Sequence, residues 1–377
     1  MPSDAEIKVW AVNACDQYTS DLNYWKTLEK FVGDRASTLK LVYPEIYLNQ
    51  NQKARIAEIN ETMRSYLHNG VFKSLNGLVL VERTLSCGVR RGIVLAIDLE
   101  DYSFISGENA LIRSTEETVT ERIPPRLEIR RNAPLELPHV MLLYDDKNNT
   151  VMNSVEKGEI LYDAELNMGG GHVKGFLINN PNQVVGDFYG LIKDNFLFAV
   201  GDGNHSLATA KTHWNEIKKG LNKKEISNHP ARFALVEAVN IYDGALAFEP
   251  IHRFVKTGYA EKFLKAFKPC GKETAYIVIG GEKHKLAFNE NIPQGIRELD
   301  NFISNFIGEY GGETDYIHGE EQLVRLTKES GIGIILPSIK KDELFRFIKN
   351  GGNLPRKTFS MGEGNEKRYY IEAKRIK

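Results

Sequence analysis

Apolar positions along this chain recur with two periods, and the switches between them lay out the elements. Ile56, Ile59, Met63, Tyr66 and Leu67 share one helical face, so residues 50–69 read as an amphipathic helix stopped by Gly70. A second helix is expected near Leu22 to Val32. Leu78–Thr84 and Arg91–Asp98 read as strands joined at Ser86-Cys-Gly88, an antiparallel hairpin. Apolar runs at Ile7–Val12, Leu39–Tyr43, Leu137–Tyr144 and Phe196–Val200, and the end of Arg232–Tyr242, read as further strands. Beyond Val255 the pattern predicts helices at Ala260–Phe267, Gly295–Tyr310 and Asp342–Asn350. It also predicts a hairpin in Thr274–Ala287, strands at Tyr316–His318 and Gly331–Leu336, and a strand-like Arg368–Ala373. Helices and strands so interleaved predict an α/β fold of mixed (α+β) topology. The expected division is a main α/β part over 1–255 and a smaller α+β part over 256–377 packing against it.

One stretch concentrates chemistry. Phe196–Val200 is followed by Gly201-Asp-Gly-Asn-His-Ser206 and then by good helix formers from Leu207 to Lys218, with Gly220 as the stop. Gly201 and Gly203 permit positive φ and leave backbone uncovered. Asp202, Asn204 and Ser206 each suit a helix N-cap. A cap needs one polar side chain, and Asp, Asn, His and Ser crowd into five positions. A strand delivering glycines and polar groups to a helix N-terminus makes an anion site, because unsatisfied N–H groups and the positive dipole end face the ligand.

Three other clusters suit anions. Arg113, Ser114, Thr115, Thr118, Arg122 and Arg126 form one, with Glu116 and Glu117 available as base or magnesium ligand; a solvated turn with surface ion pairs fits the same residues equally well. The Pro124-Pro125 pair is expected to fix an extended kink. Gly169, Gly170 and Gly171, with His172 and Lys174, allow close backbone approach to a ligand or form a hinge, and they lack the ending of a P-loop. Arg356, Lys357, Thr358 and Ser360 make the third, either facing solvent or reaching the cleft of residues 201–206. His252 and Arg253 stand together after Pro250, the histidine as a ligand or packed at the edge of the core.

Composition narrows the classes. Of 377 residues, 42% are hydrophobic and 26% charged, an ordinary globular balance. A formal net charge of −1 supplies no general field for nucleic acid or an anionic membrane. Cys15, Cys87 and Cys270 are widely spaced and odd in number, which points to a reducing, cytoplasmic compartment and to no metal site of cysteine spacing. No apolar run approaches a membrane span. A small-molecule metabolite is the expected partner, with neither nucleic acid nor membrane.

Nearly end to end, the chain resembles the uncharacterised family catalogued as domain of unknown function 1015. The likeness is carried by Asp16-Gln-Tyr18, Arg113–Arg126, Gly169-Gly-Gly-His172, Gly201-Asp-Gly-Asn-His205, Phe248-Glu-Pro-Ile-His-Arg253, Asp315-Tyr-Ile-His-Gly319 and Pro355-Arg-Lys-Thr-Phe359. The family's usual central motif, Asp-Gly-His-His-Arg, is similar to the phosphate-holding loop of the ParB and sulfiredoxin-like superfamily, which includes free serine kinases. Here Asp202, Gly203 and His205 match, while Asn204 replaces the first histidine and Ser206 the arginine. The resemblance implies a ParB/sulfiredoxin-like core within the larger part, with Arg113, Arg126, Arg253 or Arg356 as substitutes for the missing arginine. It also implies a kinase-like phosphotransferase using ATP or another nucleotide with magnesium on a small hydroxylated metabolite. Asp202, His205 and Glu116 would be its catalytic candidates. Gly201, Gly203, Asn204, Ser206, Gly169, Gly170, Gly171, His172, Arg113, Arg122, Arg126, Arg253 and Arg356 would bind the cofactor. A non-catalytic sensor of a nucleotide or acidic metabolite uses the same residues without a base.

Overall fold

The computed structural model of the chain describes residues 2, 6–18, 21–47 and 51–377. It resolves into two compact units, Met1–Leu246 with Glu363–Lys377, and Ala247–Gly362. The segment after Gly362 thus belongs to the first unit, whereas the sequence pattern had grouped all of 256–377 together.

Strands of the first unit are β1 (Val79–Leu85), β2 (Gly88–Asp98), β3 (Tyr102–Ser103), β4 (Ile112–Ser114), β5 (Leu135–Glu136), β6 (Met141–Tyr144), β7 (Lys157–Glu165), β8 (His172–Ile178), β9 (Phe198–Asp202) and β10 (Phe233–Asn240). All except β5 join one nine-stranded sheet ordered β3-β4-β9-β6-β10-β2-β1-β8-β7. β4 runs parallel to β3 and β9, and β6 parallel to β10; the remaining neighbours are antiparallel. Helices α1 (Ile7–Trp10), α2 (Leu22–Val32), α3 (Gln52–His68), α4 (Ile123–Arg131), α5 (Thr150–Ser154), α6 (Pro181–Gly190), α7 (Asn204–Ile217) and α8 (Lys223–Asn228) accompany it. β10 is central because it is buried almost throughout, as the apolar run Phe-Ala-Leu-Val-Glu-Ala-Val requires.

The second unit holds β11 (Phe248–Lys256), β12 (Glu273–Ile279), β13 (Glu282–Phe288), β14 (Glu313–His318), β15 (Ile332–Ile335) and β16 (Phe359–Met361) in one sheet ordered β13-β12-β15-β11-β14, with β16 also on β11. Its helices are α9 (Ala260–Ala266), α10 (Ile292–Tyr310), α11 (Glu320–Glu329) and α12 (Leu344–Gly351). The chain closes with β17 (Lys374–Arg375), paired with β5. The fold is therefore mixed α/β, as the interleaved periods predict.

Four local expectations are revised. Ile7–Val12 is helix α1 followed by a single bridge from Val12 to Tyr370, because Trp10 is buried and donates its indole N–H to the Ile371 carbonyl at 2.9 Å. Leu39–Tyr43 begins in a 3₁₀ turn, where Ser37 Oγ accepts from Leu39 N–H and the Thr38 hydroxyl donates to the Trp10 carbonyl. Pro124-Pro125 lies in the first turn of α4, where a missing N–H costs nothing. Arg368–Ala373 is buried but forms no strand beyond the Tyr370 bridge.

Buried charge explains that last difference. Arg368 donates to Glu237 on β10, to Glu372 at 2.7 Å and, through Nε, to the Pro138 carbonyl at 3.1 Å. The Tyr162 hydroxyl donates to Glu372 at 2.5 Å. Arg368 and Glu237 side chains are 4% and 3% exposed. Burial pushes the Glu237 carboxyl up, but Arg368, Arg90 and Arg83 outweigh it and hold it below the ordinary glutamate value. The stabilisation linked to this shift is complete above about pH 4.3, the unfolded value, and is lost as pH falls through the lower folded one. Glu237→Gln, which leaves a buried guanidinium with Glu372 in place of two carboxylates, is expected to cost about 3 kcal/mol, read as a lower urea midpoint at unchanged slope, and to flatten the acid limb of the stability profile.

Candidate functional site

Topology brings three segments to one end of β9. β4 runs parallel, with Ser114 opposite Val200, so the loop after β4 leaves beside the loop after β9. β6 runs antiparallel, with Met141 opposite Asp202, so the residues just before β6 arrive at the same place.

The loop residues divide the work among themselves. Gly203 is the N-cap of α7 at φ +84°, and no side chain caps the helix. A Cβ on Gly203 would lie 3.0 Å from Val140 Cγ2 and 3.1 Å from its Cα, so the position is glycine for both dihedral and space. Gly201, by contrast, is an ordinary strand residue. Asp202 turns back: Oδ1 accepts from Gly203 N–H at 2.8 Å and Oδ2 pairs with Lys367 Nζ at 3.2 Å. Asn204 Oδ1 accepts from the Ser114 hydroxyl at 2.6 Å and from Thr115 N–H at 3.3 Å. Thr115 Oγ1 donates to the Val200 carbonyl at 2.6 Å, and Ser114 Oγ also lies 2.7 Å from the Glu116 carbonyl, so its one proton is shared between that oxygen and Asn204. His205 Nε2 accepts from Val119 N–H at 3.2 Å, which puts the ring proton of the neutral imidazole on Nδ1. Ser206 Oγ reaches sideways to His139 Nε2 at 3.1 Å, and His139 Nδ1 lies 3.2 Å from the Tyr370 hydroxyl. None of the three expected caps does the capping, so the helix start presents first-turn amides rather than side chains.

The structure therefore gathers Asp202, Gly203, Asn204, His205 and Ser206, with Glu116 on the adjoining loop. Other candidates have different tasks. Arg113 donates to the Ala110 carbonyl at 2.8 Å, to Asn109 Oδ1 at 2.7 Å and to the Asn195 carbonyl at 3.2 Å, and it stacks on Phe196. Arg122 is exposed, and Arg126 donates to its carbonyl at 3.0 Å. The Gly169–Gly171 turn is filled by protein: Arg83 Nε donates to the Gly170 carbonyl at 2.8 Å, a Cβ on Gly170 would strike the Tyr369 ring, and one on Gly171 would lie 2.3 Å from the Thr84 carbonyl oxygen. His172 pairs with Asp163 at 2.9 Å, beside Lys174.

Arg253 and Arg356 belong to the second unit. Arg253 is fully buried there, paired with Asp300 at 2.8 Å and donating to the carbonyls of Ile251, Lys357 and Arg356. Arg356 is itself exposed. His252 is a packed core histidine: its Nδ1 accepts from Leu336 N–H at 3.2 Å, and burial pulls it down to about 4.

Sequence reasoning missed His139, Lys367 and Tyr370. The signals were a Pro-His pair inside the strand expected over Leu137–Tyr144 and the basic-aromatic run Lys367-Arg-Tyr-Tyr370, of which Arg368 onward was read as strand. Lys367 is the cation that the structure sets on the central loop, in place of the arginine substitutes expected. Arg83 Nη1 also donates to the Lys367 carbonyl at 3.4 Å, so the same guanidinium ties the Gly169–Gly171 turn to this segment. Gly203→Ala is expected to cost at least about 1 kcal/mol in thermal or urea unfolding. Gly220→Ala, where a Cβ meets nothing within 4 Å, should stay within about 0.5 kcal/mol.

Among the described residues no helix is long and apolar enough to cross a membrane. No curated protein matches the sequence. Solved structures with some likeness include a free serine kinase in complex with AMP, at 12% identity over 74% of this chain and 91% of that one, with a TM-score of 0.43. A conserved hypothetical protein from Pyrococcus furiosus shares 12% over 71% and 90%, with a TM-score of 0.38. SbnI from Staphylococcus aureus, truncated at its C-terminus, shares 8% over 71% and 82%, with a TM-score of 0.39. The model of the family described as Protein of unknown function (DUF1015) covers residues 2–371, a span that contains the motifs from Asp16 to Phe359, and the chain belongs to that family.

Proposed function

We propose that this protein is a nucleotide-dependent phosphotransferase acting on a small hydroxylated metabolite. The observation that carries the reading is the start of α7: a helix of 14 residues whose N-cap is a glycine, with no side-chain cap and a nearly buried lysine at the loop before it. Such a terminus suits phosphate oxygens, since amide donors and the dipole favour negative charge.

The residues present fit a phosphate-bearing ligand. Gly203 adds no side chain, Lys367 supplies a fixed cation, and Thr118 Oγ1, next to the Val119 amide that holds His205, is buried without a protein partner. They also fit the modest protein share of a magnesium site, where one or two carboxylates join phosphates and water. Asp202 Oδ2, shared with Lys367, would be that carboxylate, with Glu116 as the second candidate. A bound magnesium nucleotide would supply the phosphoryl group. Lys367 and the first-turn amides of α7 would bind its oxygens, Asp202 would hold Lys367 in place, and His205 would hold the loop at Val119 against the helix start.

A non-catalytic nucleotide or acidic-metabolite sensor is the second reading. Its support is that both Asp202 oxygens are already engaged, one by Gly203 N–H and one by Lys367, which suits a binding role better than a base.

Thermal unfolding with magnesium and ATP, ADP, CTP or GTP tests binding. A ligand at about a hundred times its Kd adds about 2.7 kcal/mol, a rise of a few degrees. The rise is expected in the wild type and should be lost in Lys367→Met and reduced in Asp202→Ala and His205→Ala. No rise with any nucleotide removes both nucleotide readings. Binding without product in a hydroxy-metabolite screen favours the sensor.

A further inference from the structure

We propose that Ser206 is a covalent phosphoryl acceptor, with His139 as its base and Tyr370 as the group that positions that base. This rests on the nucleotide reading above and adds the route the phosphoryl group takes.

The geometry is a nucleophile–base–orienter line. Ser206 Oγ is 3.1 Å from His139 Nε2, and the Tyr370 hydroxyl is 3.2 Å from His139 Nδ1 on the far side of the ring. The two rings meet edge to face, with centroids 5.6 Å apart, which fixes the imidazole plane. The tautomer invoked is the one in which Nδ1–H donates to the Tyr370 oxygen and Nε2 turns its lone pair to the Ser206 hydroxyl, as a base requires.

Each member is held independently of the others. Ser206 is on the first turn of α7, where Leu207 N–H already bonds the Gly203 carbonyl at 3.0 Å. His139 follows Pro138, whose carbonyl accepts from buried Arg368. Tyr370 is 6% exposed, and its amide donates to the Val12 carbonyl at 2.8 Å. Ser206 and His139 are both partly open to solvent, as a reacting pair must be. Asp202, by contrast, is engaged by Gly203 N–H and Lys367.

The Ser206 Oγ–phosphorus bond forms as the bond from phosphorus to the departing nucleoside diphosphate breaks, and the hydroxyl proton passes to His139 Nε2. In the second half the hydroxyl oxygen of the acceptor metabolite bonds phosphorus. Ser206 Oγ leaves with the proton from His139, and the acceptor's proton goes to solvent.

The experiment uses the full chain. A fluorophosphonate probe is expected to modify Ser206, forming the Oγ–phosphorus bond as the P–F bond breaks, with the adduct located by peptide mass spectrometry. Ser206→Ala should remove the adduct. His139→Ala should slow labelling by about a hundredfold or more, with partial rescue by added imidazole, which a merely unfolded variant would not show. Tyr370→Phe should lower the limiting labelling rate about tenfold at an unchanged half-saturating probe concentration. ATP labelled in its terminal phosphate should leave label on Ser206. No adduct at Ser206, or labelling of His139→Ala at the wild-type rate, overturns the proposal. An adduct together with an ATP-dependent thermal shift but no label from ATP overturns the phosphoryl route while leaving the nucleotide reading standing. An adduct without any nucleotide shift shows instead that the nucleotide reading has failed, and the phosphoryl route with it.

Discussion

Arg368 is the constraint on which the first unit's site depends. Its guanidinium is buried between Glu237 on the central strand β10 and Glu372 four residues along its own segment, and its Nε holds the Pro138 carbonyl. A desolvated arginine with fixed fork geometry tolerates little displacement, because any lost partner leaves charge uncompensated in a medium of low polarity. The residues around it inherit that rigidity. Lys367, just before, reaches Asp202, and Tyr370, two positions on, reaches His139, itself next to the carbonyl that Arg368 holds. One buried cation therefore sets both the charge beside the α7 terminus and the orientation of the histidine.

The polar residues of the central loop show how a crowded motif resolves. Each of Asp202, Asn204 and Ser206 has the chemistry of a helix cap, yet each is drawn off by a stronger local partner. Asp202 gains a charge-assisted contact with Lys367, Asn204 satisfies a hydroxyl and an amide of the loop after β4, and Ser206 meets an imidazole. The capping position falls to Gly203, which alone accepts φ +84° against Val140. The start of α7 is thus left without a side-chain cap inside a ring of fixed polar groups.

The second unit repeats the use of a buried arginine for a different end. Arg253 joins the Phe248–Arg253 motif to the Pro355–Phe359 motif by donating to the Arg356 and Lys357 carbonyls while pairing with Asp300. β16 then pairs with the start of β11, with Phe248 and Phe359 stacked at 4.6 Å. Here the arginine's forked donors serve backbone acceptors, and its place in a motif reflects folding of that unit. Arg113 does the same among the carbonyls near Asn109 and Asn195.

Periodicity was enough for α2, α3, the β1–β2 hairpin, the β9–α7 junction, β10 and most of the second unit, because in those segments burial on one face or throughout writes itself into local residue order. The strand-to-helix junction within Gly201–Ser206 was legible, but its loop is shorter than the residue pattern suggests, with β9 running through Asp202 and α7 starting at Asn204. Ile7–Val12, Leu39–Tyr43 and Arg368–Ala373 were misread because their apolar residues are buried by partners hundreds of positions away or by side-chain bonds such as Trp10 to Ile371. The same distance hid the site's second half. His139 lies 67 positions before Ser206, and Tyr370 lies 231 after His139. No local pattern relates such residues; a nine-stranded sheet and a buried ion pair do, by bringing the ends of β4, β6 and β9 and the returning C-terminal segment to one place.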